Sequence, residues 1–249
     1  MLGRVKAKRW CQRRSRRVAP APVAVPSTPP SDTARSDSAA VDALISGGRL
    51  ASLIDALVST HAGVAFIVRK SGSSAKVNQL WADLATSTES TAFDWATVSP
   101  HTLIGILKRL LRTDSAAAVP PTVYEALQNA AACDPTTRQS AVVSALAALS
   151  TGQRTQLRLV FKLLIAVASN SANLMSSIAV GAAIGPSVLC PSLVGTAGSA
   201  AALKDVVPGI IEHLIDNASV FGLGDAVSTS APLVPRTFYT AAGRRGTWL

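Results

Sequence analysis

The chain has 249 residues, a formal net charge of +10, a hydrophobic fraction of 48% and a charged fraction of only 15%. A chain of this length can bury a sizeable core, so we expect one globular domain with tails. The composition excludes a chain that is disordered throughout, because such chains are rich in charge and poor in apolar residues.

A basic tail is the first predicted element. Lys and Arg are dense in "MLGRVKAKRWCQRRSRRV", a proline-rich stretch follows, and the first acidic residue is Asp32. Residues 1–40 are therefore predicted to be a basic, Pro-rich disordered tail. The tail could simply be solvated, or residues 4–17 could bind an anionic membrane surface. A nuclear address, an organelle transit peptide and nucleic-acid binding are alternatives, of which nucleic acid is disfavoured as a partner.

Helical spacing of apolar residues begins at residue 50. It recurs in four segments, 50–58, 103–111, 157–168 and 207–215, and it is typical of helices that bury one face. The stretch "VAFIV" at 64–68 could form a short strand, and connections are predicted at "SGSS", "AAAVPPT", "CDPTT" and "GPSVLCPS". The predicted fold class is all-α, a single helical bundle. Residues 223–249 are predicted to be a low-complexity tail.

A long uncharged stretch lies between Lys162 and Lys204. Asn, Ser, Gly and Pro residues interrupt it, so it lacks the run of about 20 apolar residues that a membrane span needs. We expect buried helices here and no transmembrane segment.

The third helical segment also carries a basic face. Arg154, Arg158 and Lys162 repeat at four-residue spacing, opposite the apolar stripe. Such a face is either solvated or a docking surface for an acidic partner.

Most recognisable catalytic motifs are missing. The three cysteines and three histidines are far apart, which gives neither a disulfide framework nor a metal site and favours a reducing, intracellular setting. The sequence has no phosphate-binding P-loop, no Gly-x-Ser-x-Gly turn and no His-Glu-x-x-His. "SSAK" at 73–76 has Ser-x-x-Lys spacing without its companion motifs. We therefore predict no self-contained hydrolase, no metal and no cofactor.

Five pieces follow one another along the chain. They are "FIVRKSG" at 66–72, "LKRLLR" at 107–112, Pro120 with Tyr124, "SANLMSSIAVGAAIGPSVLCP" at 171–191 and "VVPGIIEHLIDNASVFG" at 206–222. In this order they resemble the Rho-type GTPase-activating domain, RhoGAP, in its arginine loop, its following basic helix, a Pro-Tyr anchor, its Asn-Lys-Met to Gly-Pro segment and its closing helix. The resemblance covers residues 41–222 and implies a helical RhoGAP domain there.

The resemblance also implies a function and a site. Arg69 matches the arginine finger that the family inserts into a Rho-family small GTPase in its GTP-bound form, which accelerates GTP hydrolysis. Lys108 and Arg112 match residues that support the finger loop and contact the GTPase, and Asn173 is a further GTPase-binding or supporting residue. The chain would then be an activator acting in trans rather than an enzyme. We expect it in the cytoplasm, with peripheral membrane attachment or an organelle transit peptide as alternatives.

Several positions depart from the family pattern. Ala179 stands where the family has Asn, Phe66 replaces the glycine three residues before the finger, and "TDSAAAVP" follows Arg112 where the family has a Pro-rich loop. These changes leave open an alternative, a catalytically weak or inactive RhoGAP-like module that docks a GTPase or another partner and is localised by its basic tail.

Overall fold

A computed structural model describes residues 40–41, 44–45, 48–86, 93–113, 118–189, 206–223, 237–239 and 245–247. The predicted tail at 1–40 lies outside these ranges except for its last residue. Residues 114–117, in the loop after Arg112 that departs from the family pattern, also lie outside the described ranges.

Eight helices dominate the described part of the chain. They are α1 Arg49–Ala56, α2 Ser74–Thr86, α3 Pro100–Arg112, α4 Pro121–Ala132, α5 Pro135–Ala147, α6 Thr151–Ser169, α7 Ser177–Leu189 and α8 Val207–Asp216. A π-helical turn, Leu57–His61, continues α1, and short 3-10 turns lie at Trp95–Thr97, Ser171–Asn173 and Ala218–Phe221. The domain is all-α, as predicted.

Local sequence signals explain where several helices begin. Ser99 precedes Pro100, and its side chain accepts a hydrogen bond from the Thr102 amide. Ser150 and Gln153 form a reciprocal capping box at the start of α6. Each cap satisfies backbone N–H groups that have no partner within the helix.

The core is continuous from α1 to the final 3-10 turn. Helix α6 lies within it and buries the predicted stripe of Leu157, Val160, Phe161 and Leu164. The Phe161 ring stacks on that of Phe221, with 4.4 Å between centroids. The four predicted helical segments are thus helices in the structure, and burial of their apolar faces stabilises them.

Helices α7 and α8 pack with unusually close backbones. A Cβ added at Gly181 would lie 2.7 Å from the Pro208 carbonyl oxygen, and one at Gly185 would lie 2.7 Å from Val207 Cγ1. No larger residue fits either position without moving the helices apart.

Two local predictions are wrong. Residues 64–68 form turns and not a strand, because their hydrogen bonds close locally, with the Ile67 amide donating to the Val64 carbonyl. The connection predicted at "GPSVLCPS" begins too early, since α7 continues through Pro186 to Leu189. There the packing of α7 against α8 outweighs the helix-breaking tendency of Gly and Pro.

A small antiparallel pair of strands occurs in the predicted low-complexity tail. Strand β1, Thr237–Tyr239, pairs with β2, Arg245–Thr247. No period-two pattern in the sequence predicts these short strands, which lie outside the helical domain.

The basic face of α6 makes contacts within the molecule. Arg154 donates to the carbonyls of Ala147 and Leu149, and Arg158 donates to the Gly222 carbonyl at 3.4 Å. Lys162 forms an exposed ion pair with Asp55 at 2.7 Å. These side chains connect α6 to its neighbours, although an exposed ion pair contributes at most about 1 kcal/mol.

None of the described helices has both the length and the apolar composition to cross a membrane.

Candidate functional site

The candidate site centres on the Arg69 loop, residues 62–73, which joins the π-helical turn to α2. Ile67 and Val68 are completely buried, whereas Arg69 is exposed. The amides of Arg69 and Lys70 both donate to the Phe66 carbonyl at 2.9 Å. The apolar pair therefore fixes the loop in the core, and the turn that follows places the guanidinium in solvent.

Lys108 is hydrogen-bonded to the backbone of the loop from the buried side. Its Nζ donates a 2.7 Å hydrogen bond to the carbonyl of Val68, the residue immediately before Arg69. The side chain is buried, and this burial, together with the nearby charge of Arg112, lowers the pKa of Lys108 to about 8. A long side chain from α3 thus fixes the backbone next to the exposed arginine.

Gly72 fixes the far end of the loop against the start of α3. Its amide donates to the His101 carbonyl at 3.1 Å. A Cβ at this position would lie 2.8 Å from both the Cα and the backbone nitrogen of Thr102. Only glycine allows the two backbones to approach this closely.

Asn173 connects the loop to the end of α6. Its Nδ2 donates to the carbonyls of Ala62 and Val167, and its Oδ1 accepts from the Met175 amide. Its own carbonyl accepts from the Phe66 amide at 2.9 Å. The Asn173 side chain is completely buried, so it can influence a bound partner only through the backbone segments it connects.

Arg112 lies one turn after Lys108 on α3 and remains exposed. Its Nε donates to Ser187 Oγ at 3.0 Å, and Ser187 is buried on α7. This hydrogen bond orients the guanidinium and connects α3 to α7. Lys108 and Asn173 therefore form direct hydrogen bonds with the loop that carries Arg69. Arg112 lies on the same helix as Lys108 and is bonded to α7 instead.

Phe66 has a conformation that its residue type does not favour. Its φ is +56°, in the left-handed region that glycine enters easily and a phenylalanine does not. Its ring lies 5.4 Å from Lys70 Nζ, a cation–π contact beside Arg69. Phe66 thus occupies a backbone conformation that glycine adopts without steric cost, and it adds an aromatic ring next to Lys70.

Two contributors to this geometry had no signal in the sequence. Ser187 matters because it orients Arg112 across 75 residues, and Leu174 is notable because it projects into solvent beside Asn173 with 67% of its surface exposed. Neither residue type suggests such a role. Ala179, half-buried on α7, offers no side-chain hydrogen bond to a partner.

Within the described ranges, no three His, Cys, Asp or Glu side chains come together as a metal site requires.

Comparison with known proteins defines the family. The profile of the RhoGAP domain matches residues 49–192, and the chain belongs to the RhoGAP family. No curated protein matches the sequence. Family membership supports a role in activating or binding Rho-type GTPases.

Solved structures share the fold. The chain is similar to human Rho GTPase activating protein 15, with 22% identity, a TM-score of 0.61 and coverage of 78% of this chain and 99% of that one. It is also similar to the BH domain of GRAF, the GTPase regulator associated with focal adhesion kinase, with 24% identity, a TM-score of 0.58 and coverage of 71% and 94%.

Proposed function

We propose that the chain accelerates GTP hydrolysis by a Rho-family small GTPase in its GTP-bound form, with Arg69 inserted in trans as an arginine finger. The observation that carries the proposal is the exposed Arg69 on a loop that hydrogen bonds hold at three points. Within the loop, Val68 is bonded to Lys108, Gly72 to His101 and Phe66 to Asn173. A catalytic group must be held in place before the partner arrives, because positioning is a large part of phosphoryl-transfer catalysis.

The chemistry fits an arginine. Negative charge spreads over the oxygens of the transferred phosphoryl group, and an arginine supplied by a partner protein raises the rate by about 10³ to 10⁵. That corresponds to about 4 to 7 kcal/mol of barrier. The guanidinium offers several donors in one plane and stays charged at any physiological pH. The chain itself makes and breaks no bond, since the GTPase holds the nucleotide and the attacking water.

Three further residues have distinct supporting roles in this proposal. Lys108 fixes the carbonyl next to the finger, and Asn173 fixes the neighbouring turn from inside the core. Arg112 is exposed and oriented by Ser187, so it can contact the GTPase directly. The Lys70 ammonium beside the finger adds positive charge that favours an acidic nucleotide-binding face.

The test is single-turnover GTP hydrolysis with a panel of Rho-, Ras- and Arf-type GTPases. Arg69→Ala should lower the stimulated rate at least about a hundredfold while GTP-state binding and the thermal melt stay nearly unchanged, because the lost interaction forms only in the transition state. Arg69→Lys should recover little activity, since an ammonium lacks the planar fork.

Arg158→Ala is the matched control, since Arg158 is an exposed arginine on α6 that contacts the Gly222 carbonyl. It should stimulate like the wild type. Full stimulation by Arg69→Ala would refute the finger assignment.

The second candidate is a binding module without activation. Ala179 favours it, because this position lacks the amide that would donate a hydrogen bond to the GTPase. A wild-type chain that binds a GTP-loaded GTPase without changing its hydrolysis rate would establish this alternative over the first.

A further inference from the structure

Phe66 occupies a strained backbone conformation three residues before Arg69. In the described part of the chain, the non-glycine residues at positive φ are Phe66, at +56°, and Leu174, at +60°. This left-handed region is unfavourable for both residue types. Glycine would enter it without steric cost, so a phenylalanine at position 66 indicates that its side chain contributes something that glycine cannot supply.

The Phe66 ring makes two kinds of contact. It is half-buried and packs against the hydrophobic core, and its centroid lies 5.4 Å from Lys70 Nζ. The Lys70 amide donates to the Phe66 carbonyl at 2.9 Å, which closes a single turn and brings positions four residues apart to the same side of the chain. A leucine could also pack against the core, but only an aromatic ring attracts an ammonium group to its face.

The Lys70 side chain is exposed and, among the described residues, forms no ion pair with a carboxylate. The contact that holds its ammonium in one place is therefore the ring of Phe66. Because the ammonium lies against its own loop, it does not extend with Arg69 towards a nucleotide. An anionic group that pairs with Lys70 must then lie on the protein surface around the nucleotide pocket of the partner.

We infer that Phe66 is a positioning residue, whose ring holds the Lys70 ammonium beside Arg69, where that ammonium binds a carboxylate on the surface of the GTPase. The inference rests on the proposed function. Arg69 acts on the transferred phosphoryl group and sets the rate within the complex, whereas Lys70 acts on the affinity. A cation that is held in advance loses less side-chain entropy on binding than a lysine that moves freely in solvent.

The test is a double-mutant cycle on the dissociation constant for a Rho-family GTPase loaded with a nonhydrolysable GTP analogue. Lys70→Met should weaken binding about fivefold, since it removes one ion pair at the edge of the interface. Phe66→Leu should weaken binding about threefold, because leucine keeps the apolar packing and the strained backbone but lacks the face of the ring. In the Lys70→Met background, Phe66→Leu should cause no further loss.

Further measurements separate positioning from packing. Phe66→Tyr keeps an aromatic face and should bind like the wild type. The losses should appear in the dissociation constant and not in the stimulated rate at saturating chain, because the Lys70 ammonium does not reach the nucleotide. The loss caused by Lys70→Met should shrink between about 0.05 M and about 0.5 M salt, since salt screens exposed charges. Lys162→Met is the matched control, because this exposed lysine already pairs with Asp55, and it should bind like the wild type.

Four results would overturn the inference. If Lys70→Met binds a stimulated GTPase as tightly as the wild type, the ammonium meets no carboxylate, and the finger proposal still stands. If Lys70→Met weakens binding but Phe66→Leu does not, the ring does not position the ammonium. If Phe66→Leu and Phe66→Tyr weaken binding alike, the ring acts through its packing alone. If no GTPase in the panel binds the wild type, the proposed function fails and this inference fails with it.

Discussion

Lys108→Met should change how the stability of the chain depends on pH. The structure buries the ammonium against the Val68 carbonyl and lowers its pKa from 10.5 to about 8. Between these two values the native chain holds fewer protons than the unfolded chain, so the free energy of unfolding rises with pH in that window. Below pH 8 the lysine is charged in both states, and this contribution to the pH dependence vanishes. Methionine has a similar length and no proton to lose.

The size of the effect follows from the pKa difference. A change from 10.5 to about 8 corresponds to an upper limit of about 3 kcal/mol, at about 1.4 kcal/mol for each factor of ten in affinity for the proton. Water that reaches the end of the side chain reduces this value, so we expect about 1 to 2 kcal/mol. The wild type should gain this amount relative to Lys108→Met as pH rises from 8 towards 10.5.

Urea unfolding at pH 7, 8, 9 and 10 measures the difference. Other groups that titrate in this range occur in both proteins and cancel in the comparison. Lys76→Met is the control, because Lys76 lies exposed on α2, and it should follow the wild-type curve. If wild type and Lys108→Met change in parallel from pH 7 to pH 10, Lys108 is not desolvated and its place beneath the Arg69 loop is wrong.

Two further predictions concern Asn173 and Ala179. Asn173→Ala should lower the free energy of unfolding by about 3 kcal/mol or more, because three buried hydrogen-bonding groups lose their partner. Urea titration checks this, and exposed Asn129→Ala should cost less than about 0.5 kcal/mol. Ala179→Asn should tighten binding to a GTPase in its transition-state-analogue form by about 1.5 to 3 kcal/mol. A titration that finds equal or weaker affinity would count against the match of Ala179 to the family's asparagine.

Four of the eight described helices, α1, α3, α6 and α8, could be predicted from apolar spacing because their signals are local. The stripe from Leu157 to Ala168 recurs at helical spacing, and Ser150 with Gln153 forms a capping box three residues apart. Residues 64–68 misled the prediction because their apolar run also suits a strand. Their true conformation depends on turns and on burial beneath α3.

The candidate site could be predicted only in part. Arg69, Lys108 and Arg112 are candidates because their order resembles a family motif, not because one sequence reveals their contacts. The anchoring hydrogen bonds could not be predicted, since Asn173 reaches Ala62 across 111 residues and Lys108 reaches Val68 across 40. The positive φ of Leu174 could not be predicted from the sequence either, because leucine residues seldom adopt it.

The close packing of α7 against α8 extends the set of sensitive positions well beyond the proposed site around Arg69. Gly181 and Gly185 face α8, and both are buried. A methyl group at either glycine would displace α7, and with it Ser187 and the guanidinium that Ser187 orients. Substitutions at these buried glycines would therefore mimic substitutions at the proposed site in a genetic screen, although neither glycine is exposed to a partner. When variants of this domain are interpreted, the residues that pack between α7 and α8 have to be considered together with those of the proposed site.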